Sequence, residues 1–82
     1  MTCRVSVKIG ENRYRSFFLQ FAHHTFEVID VDGVCYIECY KIHDHLYRVY
    51  CFFYKNKIID RMEFRGLKEM CGAIQKLLDE NL

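Results

Sequence analysis

Two sets of side chains in this sequence have the chemistry to hold a metal or attack a substrate. One is the histidines, His23-His24 and His43-Asp44-His45; the other is five cysteines, at positions 3, 35, 39, 51 and 71. A structural zinc site needs four ligands with paired spacing such as Cys-x2-Cys, whereas Cys35 and Cys39, i,i+4 on a strand, stand about 13 Å apart and point into the core. His-x-His alone is a weak ligand signal. His23, His24, His43 and His45 are therefore read as turn residues that hydrogen-bond locally, with the His43–His45 tip responsive to pH near about 6.5. A cysteine nucleophile needs a base in reach and a lowered pKa. Only Cys71, in the second turn of a C-terminal helix, has any help from a helix dipole, and it lies on the apolar stripe of that helix. No Gly-rich phosphate loop, Gly-x-Ser-x-Gly or His-Glu-x-x-His is present. The expectation is a protein without catalytic residues, metal or cofactor.

The elements that would position these groups follow from hydrophobic period. Alternation with period two runs through the first sixty-odd residues and predicts strands at about 3–9, 13–21, 25–31, 34–42, 46–55 and 58–64. Asp32-Gly33 reads as a two-residue type I′ turn, which sets Val28 opposite Ile37, Phe26 opposite Cys39 and Ile29 opposite Tyr36, with Glu27 facing Glu38. A turn over His43-Asp44-His45 with Ile42 opposite Leu46 then pairs Cys39 with Val49, Ile37 with Cys51 and Cys35 with Phe53. On the other face it pairs Tyr40 with Arg48, Glu38 with Tyr50 and Tyr36 with Phe52. A two-residue turn at Asn56-Lys57 puts Ile58, Met62 and Phe64 on the dry face, Asp60 awkwardly among them, and Arg61 and Glu63 on the aromatic one. After Gly66 the period changes: Leu67, Met70, Cys71, Ile74, Leu77 and Leu78 form one stripe of a helix over about 66–80, with Gln75 on the polar side.

The fold expected is α+β, a five- to six-stranded antiparallel sheet with one C-terminal amphipathic helix packed on one face, as a single domain over 1–82. Leu67, Met70, Cys71, Ile74 and Leu78 would dock on Val5, Val7, Ile37, Cys39, Val49 and Cys51. A single helix of about 21 Å roofs one face. The other, carrying Tyr14, Phe18, Tyr36, Tyr40, Tyr50, Phe52 and Tyr54 with Arg48 among them, has no partner in the chain. Curling of the sheet, a second copy and a ligand are the three possible covers. Tyrosine at five of these seven positions keeps one end of each ring wet, which favours an interface over a core.

Composition narrows the class. In 82 residues the hydrophobic content is 51% and proline is absent, which excludes a disordered adaptor, and a formal charge of +1 excludes a nucleic-acid coat. The charge comes in blocks of alternating sign, suited to neighbouring strands of opposite charge. No apolar run is long enough to span a bilayer, so no membrane is expected. Met1 running straight into Cys3-Arg4-Val5-Ser6-Val7 is not a signal-peptide pattern, and a cytoplasmic location with reduced thiols is the expectation.

The function read from these features is a non-enzymatic protein-binding module, homodimeric, acting by occluding or bridging a partner. Small chains with a sticky sheet and no catalytic motif resemble in kind the phage- or virus-encoded inhibitors of host machinery, anti-CRISPR proteins among them. The alternative is a single-stranded nucleic-acid binder, with bases stacked on the tyrosines and phosphates on Arg13, Arg15, Arg48 and Arg61. Several antiparallel strands followed by one helix is similar in element order to the PUR-repeat and positive-cofactor single-strand binders.

Overall fold

The computed structural model describes residues 2–82, as six strands and one helix: β1 (Thr2–Gly10), β2 (Arg13–Gln20), β3 (Phe26–Val31), β4 (Cys35–His43), β5 (Leu46–Phe53), β6 (Ile58–Arg65) and α1 (Leu67–Asn81). All pairings are antiparallel, as alternation and short turns dictate. The strands divide into two sheets instead of one: a β1–β2 hairpin and a four-stranded sheet in the order β3-β4-β5-β6. One continuous core joins them. Val5, Val7, Leu19 and Phe21 of the hairpin, Ile29, Ile37, Val49 and Phe53 of the larger sheet, and Met70, Ile74 and Leu78 of α1 are all buried together. The roof over the dry face is therefore the hairpin with the helix at its side, where the expectation was the helix alone. α1 lies mainly along β1 and also reaches β5 and β6.

Gln75, expected among the solvated residues, makes that side-by-side arrangement possible. A strand edge left unpaired in a half-buried place carries a free N–H and C=O. The Gln75 amide satisfies both on β1: the Ser6 N–H donates to Gln75 Oε1 at 2.8 Å, and Gln75 Nε2 donates to the Ser6 carbonyl at 3.0 Å. Gln75→Leu removes both partners, and a loss of about 1–3 kcal/mol is expected. Urea unfolding of the variant checks this, and an unchanged midpoint would show that water replaces the amide.

The β3–β4 register differs by one residue from the two-residue turn. Ile29 pairs with Ile37, Phe26 with Tyr40 and Val28 with Glu38. Three residues, Asp32 to Val34, form the loop; the Val34 N–H donates to the Val31 carbonyl at 2.9 Å, and of Asp32 and Gly33 only the glycine has positive φ. The cost of a buried charge explains the slip: the shorter turn would put Asp30 opposite Cys35 in the core, whereas the longer one turns Asp30 outward and buries Ile29 and Val31. Because side chains alternate, Phe26 and Val28 move to the outer face and Glu27 leaves it.

The β4–β5 register follows the expected pairs from Cys35↔Phe53 to Tyr40↔Arg48, but an irregularity after Lys41 sets His43, not Ile42, opposite Leu46. Between β5 and β6 the loop has four residues, so Phe53 faces Ile58. That two-residue slip keeps every side chain on its expected face. Asp60 does take inner-face parity, opposite Cys51, but on an edge strand where it stays exposed and accepts a hydrogen bond from the Arg61 N–H.

Cysteine pairing departs from the reading of five thiols. Cys3 and Cys71 are bonded to each other, 68 residues apart in sequence, and tie the first strand to the helix. Cys71 is thus neither a nucleophile nor a free packing group. Cys35, Cys39 and Cys51 are free and buried. Burial, reinforced by Asp30, pushes the Cys35 thiol up from 9.0 to about 11; burial lifts Cys39 and Cys51 to about 12, helped by Glu27 at Cys39 and by Cys35 and then Asp60 at Cys51. A thiol whose folded pKa is raised stabilises the fold fully below its unfolded value and loses that contribution as pH rises towards the folded one. The urea midpoint is expected to hold between pH 7 and 8 and to fall steadily above about pH 9. Substituting the three thiols by alanine should flatten that fall, and an equally steep fall without them would assign it to other groups.

Candidate protein-binding face

The outer face of the four-stranded sheet is built by alternate residues of four strands. β4 contributes Tyr36, Glu38 and Tyr40, and β5 contributes Arg48, Tyr50 and Phe52, all half-buried. These five predicted site residues, Tyr36, Tyr40, Arg48, Tyr50 and Phe52, are brought together. Their rings pack in contact: Tyr40 meets Tyr50 edge to face at 5.9 Å and 90°, and Phe26 of β3 packs against Tyr40 at 4.9 Å with the rings tilted by 49°. Tyr54, just beyond β5, packs edge-on against Phe52 at 4.9 Å and closes one end of the row. A shallow depression of about 180 Å³ lies between Tyr36, Tyr50, Phe52 and Ile59.

Tyr14 and Phe18 belong elsewhere. They lie on the outer face of the β1–β2 hairpin, 63% and 65% exposed, on the sheet that covers the opposite side of the core. Arg13 and Arg15 are on that hairpin too, Arg15 with its guanidinium 5.0 Å from the Phe17 ring centre. Of the arginines assigned to phosphate, only Arg61 and Arg48 stand on the aromatic sheet, and both are within 3.2 Å of the same Glu63 oxygen.

Electrostatics divides this face in two. Glu38, in the middle of β4, accepts a hydrogen bond from the Tyr36 hydroxyl at 2.7 Å and a longer one from Tyr40 at 3.3 Å. That bond, with a smaller effect of burial, pushes Tyr36 up to about 12, and burial followed by the Glu38 charge raises Tyr40. With Asp30 opposite Tyr36, the β3–β4 half carries two carboxylates. The β5–β6 half carries two guanidiniums against Glu63. Glu38 and Glu63 thus organise the face, and sequence reading left them out of the site. Ile59, 79% exposed on β6, was missed as well. Its signal was legible, since it shares parity with Arg61. Phe26 and Val28 were hidden by the register slip.

Together the fold and this face define a small α+β domain whose larger sheet is roofed on one side and bare on the other. The chain matches no protein-family model, no curated protein and no solved structure. Among the described residues, no group of three or more histidine, cysteine or acidic side chains is placed to hold a metal ion. None of the described helices is long and apolar enough to cross a membrane.

Proposed function

We propose that the protein is a non-enzymatic protein-binding module whose aromatic sheet face is closed by a second copy of the same chain. The observation that carries this is the split of charge across an otherwise aromatic surface. A two-fold axis running along the strands would lay β3 and β4 of one protomer over β6 and β5 of its partner, so that the half carrying Asp30 and Glu38 covers the half carrying Arg48 and Arg61. Near-aligned packing of two twisted sheets is an established way to bury such faces. A partly wet phenol is suited to a surface that must be soluble alone and dry when paired.

The dimer would then present two copies of the hairpin's Tyr14 and Phe18, outside the contact, and two equivalent surfaces suit the bridging of a partner. The resemblance in kind to phage- or virus-encoded inhibitors rests on that mode of action. Stacking of single-stranded nucleic acid on the same rings is less well served, because the carboxylates of Asp30, Glu38 and Glu63 share that face with Arg48 and Arg61, while Arg13 and Arg15 lie on the hairpin. Light scattering at micromolar concentration is expected to give twice the mass of one chain, and a monomer would overturn the reading. A labelled single-stranded oligonucleotide is expected to show no binding by fluorescence anisotropy at 50 mM salt. Binding that weakens steeply with added salt would favour nucleic acid instead.

A further inference from the structure

The chain's four histidines, from two segments distant in sequence, converge at one end of the molecule. They line a cleft of about 940 Å³ between the β2–β3 connection and the β4–β5 turn. A second cavity of about 510 Å³ continues from it towards the start of α1, sharing Lys41, Asp44, His45 and Arg65. We propose that this groove binds a small polyphosphate anion, with the imidazoles setting the pH at which it does so. The surface is distinct from the aromatic face, so the proposal stands apart from the dimer.

The charged groups facing the groove come from every element around it. The β2–β3 connection supplies His23 and His24, the latter bonded to Glu27 at the start of β3. β4 and its turn supply Lys41, His43, Asp44 and His45. β6 ends in Arg65, and α1 begins with Lys68 and Glu69. With neutral imidazoles the three cations, Lys41, Arg65 and Lys68, are balanced by the three carboxylates, Glu27, Asp44 and Glu69. Protonation tips that balance by up to four positive charges. Among the described residues, Lys41, Arg65 and Lys68 form no ion pair. Gly66 gives α1 no side-chain cap, which leaves its first-turn N–H groups to add to the positive field. The groove exceeds what one phosphate fills, and Lys41 and Arg65 line both of its parts while Lys68 lines the second, which suits a chain of phosphates.

The test is calorimetric titration with inorganic tripolyphosphate at pH 5.8 and 7.8 and constant ionic strength. Saturable binding is expected at pH 5.8, at least tenfold weaker at 7.8. Phosphate itself loses charge on acidification, so tightening must come from the protein. His43→Gln with His45→Gln should remove most of the pH dependence, and Lys41→Gln with Arg65→Gln should weaken binding at both pH values. Each pair is expected to keep the wild-type circular dichroism and oligomeric mass. Failure to saturate at pH 5.8, or histidine variants as pH-dependent as the wild type, would overturn the proposal. If the Lys41/Arg65 pair does not fold, the histidine pair alone decides. A parallel titration with ATP separates the sources: equal affinity assigns the site to the phosphate chain, and a tenfold gain assigns it to a nucleotide.

Discussion

Tyr36→Ala combined with Tyr50→Ala is expected to convert the proposed two-chain particle into a monomer while leaving the circular-dichroism spectrum of the fold intact. Both rings stand at the centre of the outer sheet face, neither is part of the buried core, and they flank Ile59 in an apolar depression on that face. In a two-fold interface each substitution acts twice. At about 1–2 kcal/mol for each truncated aromatic, the four losses come to at least about 4 kcal/mol, roughly a thousandfold in the dissociation constant. Sedimentation velocity over a concentration series measures the change directly. The companion variant Glu38→Gln keeps the rings and removes a charge from the acidic half, and a smaller, salt-sensitive weakening is expected. Collapse of the fold on removing the two rings would make them core residues, and an unchanged dimer would place the contact elsewhere.

The second large effect concerns the Cys3–Cys71 bond. It closes a loop spanning 68 residues, and constraint of the unfolded chain by a loop of that length contributes about 4 kcal/mol on the chain-entropy account, with about 2–4 kcal/mol the usual range. In a domain of this size about 1 kcal/mol corresponds to about 4–8 °C, so reduction should lower the melting temperature by some 10–25 °C. Cys3→Ala with Cys71→Ala should melt where the reduced wild type does and respond to reductant no further. Alkylation in denaturant without reductant counts the thiols independently: three modified cysteines are expected, Cys35, Cys39 and Cys51. Five would show that the bond is absent in solution.

The first prediction rests on neighbouring strands of one hairpin and the second on segments 68 residues apart, and the same distinction separates what could be read in the sequence. Period-two alternation up to Arg65 and the i, i+3, i+4 stripe from Leu67 to Leu78 determined the six strands, the helix and which helical residues are buried. The reason is that alternation and helical repeat are local and each is enforced by burial of one face. The β4–β5 register was legible for the same reason, since only one offset puts Cys35, Ile37 and Cys39 opposite Phe53, Cys51 and Val49. The grouping of Tyr36, Tyr40, Arg48, Tyr50 and Phe52 followed from it.

Tertiary structure decided the rest. Whether β1–β2 extends the sheet or folds over it depends on competition for an edge, which the Gln75 amide and the helix win, and this took Tyr14 and Phe18 away from the other rings. The turn at Asp32 was decided by the cost of burying Asp30, a charge that no local pattern weighs. Cys3 found Cys71, and His23-His24 met His43-Asp44-His45, because the two layers close on a common core. The side chains with the most chemistry were plain from residue types alone. Their partners were set by long-range packing, which local periodicity does not encode.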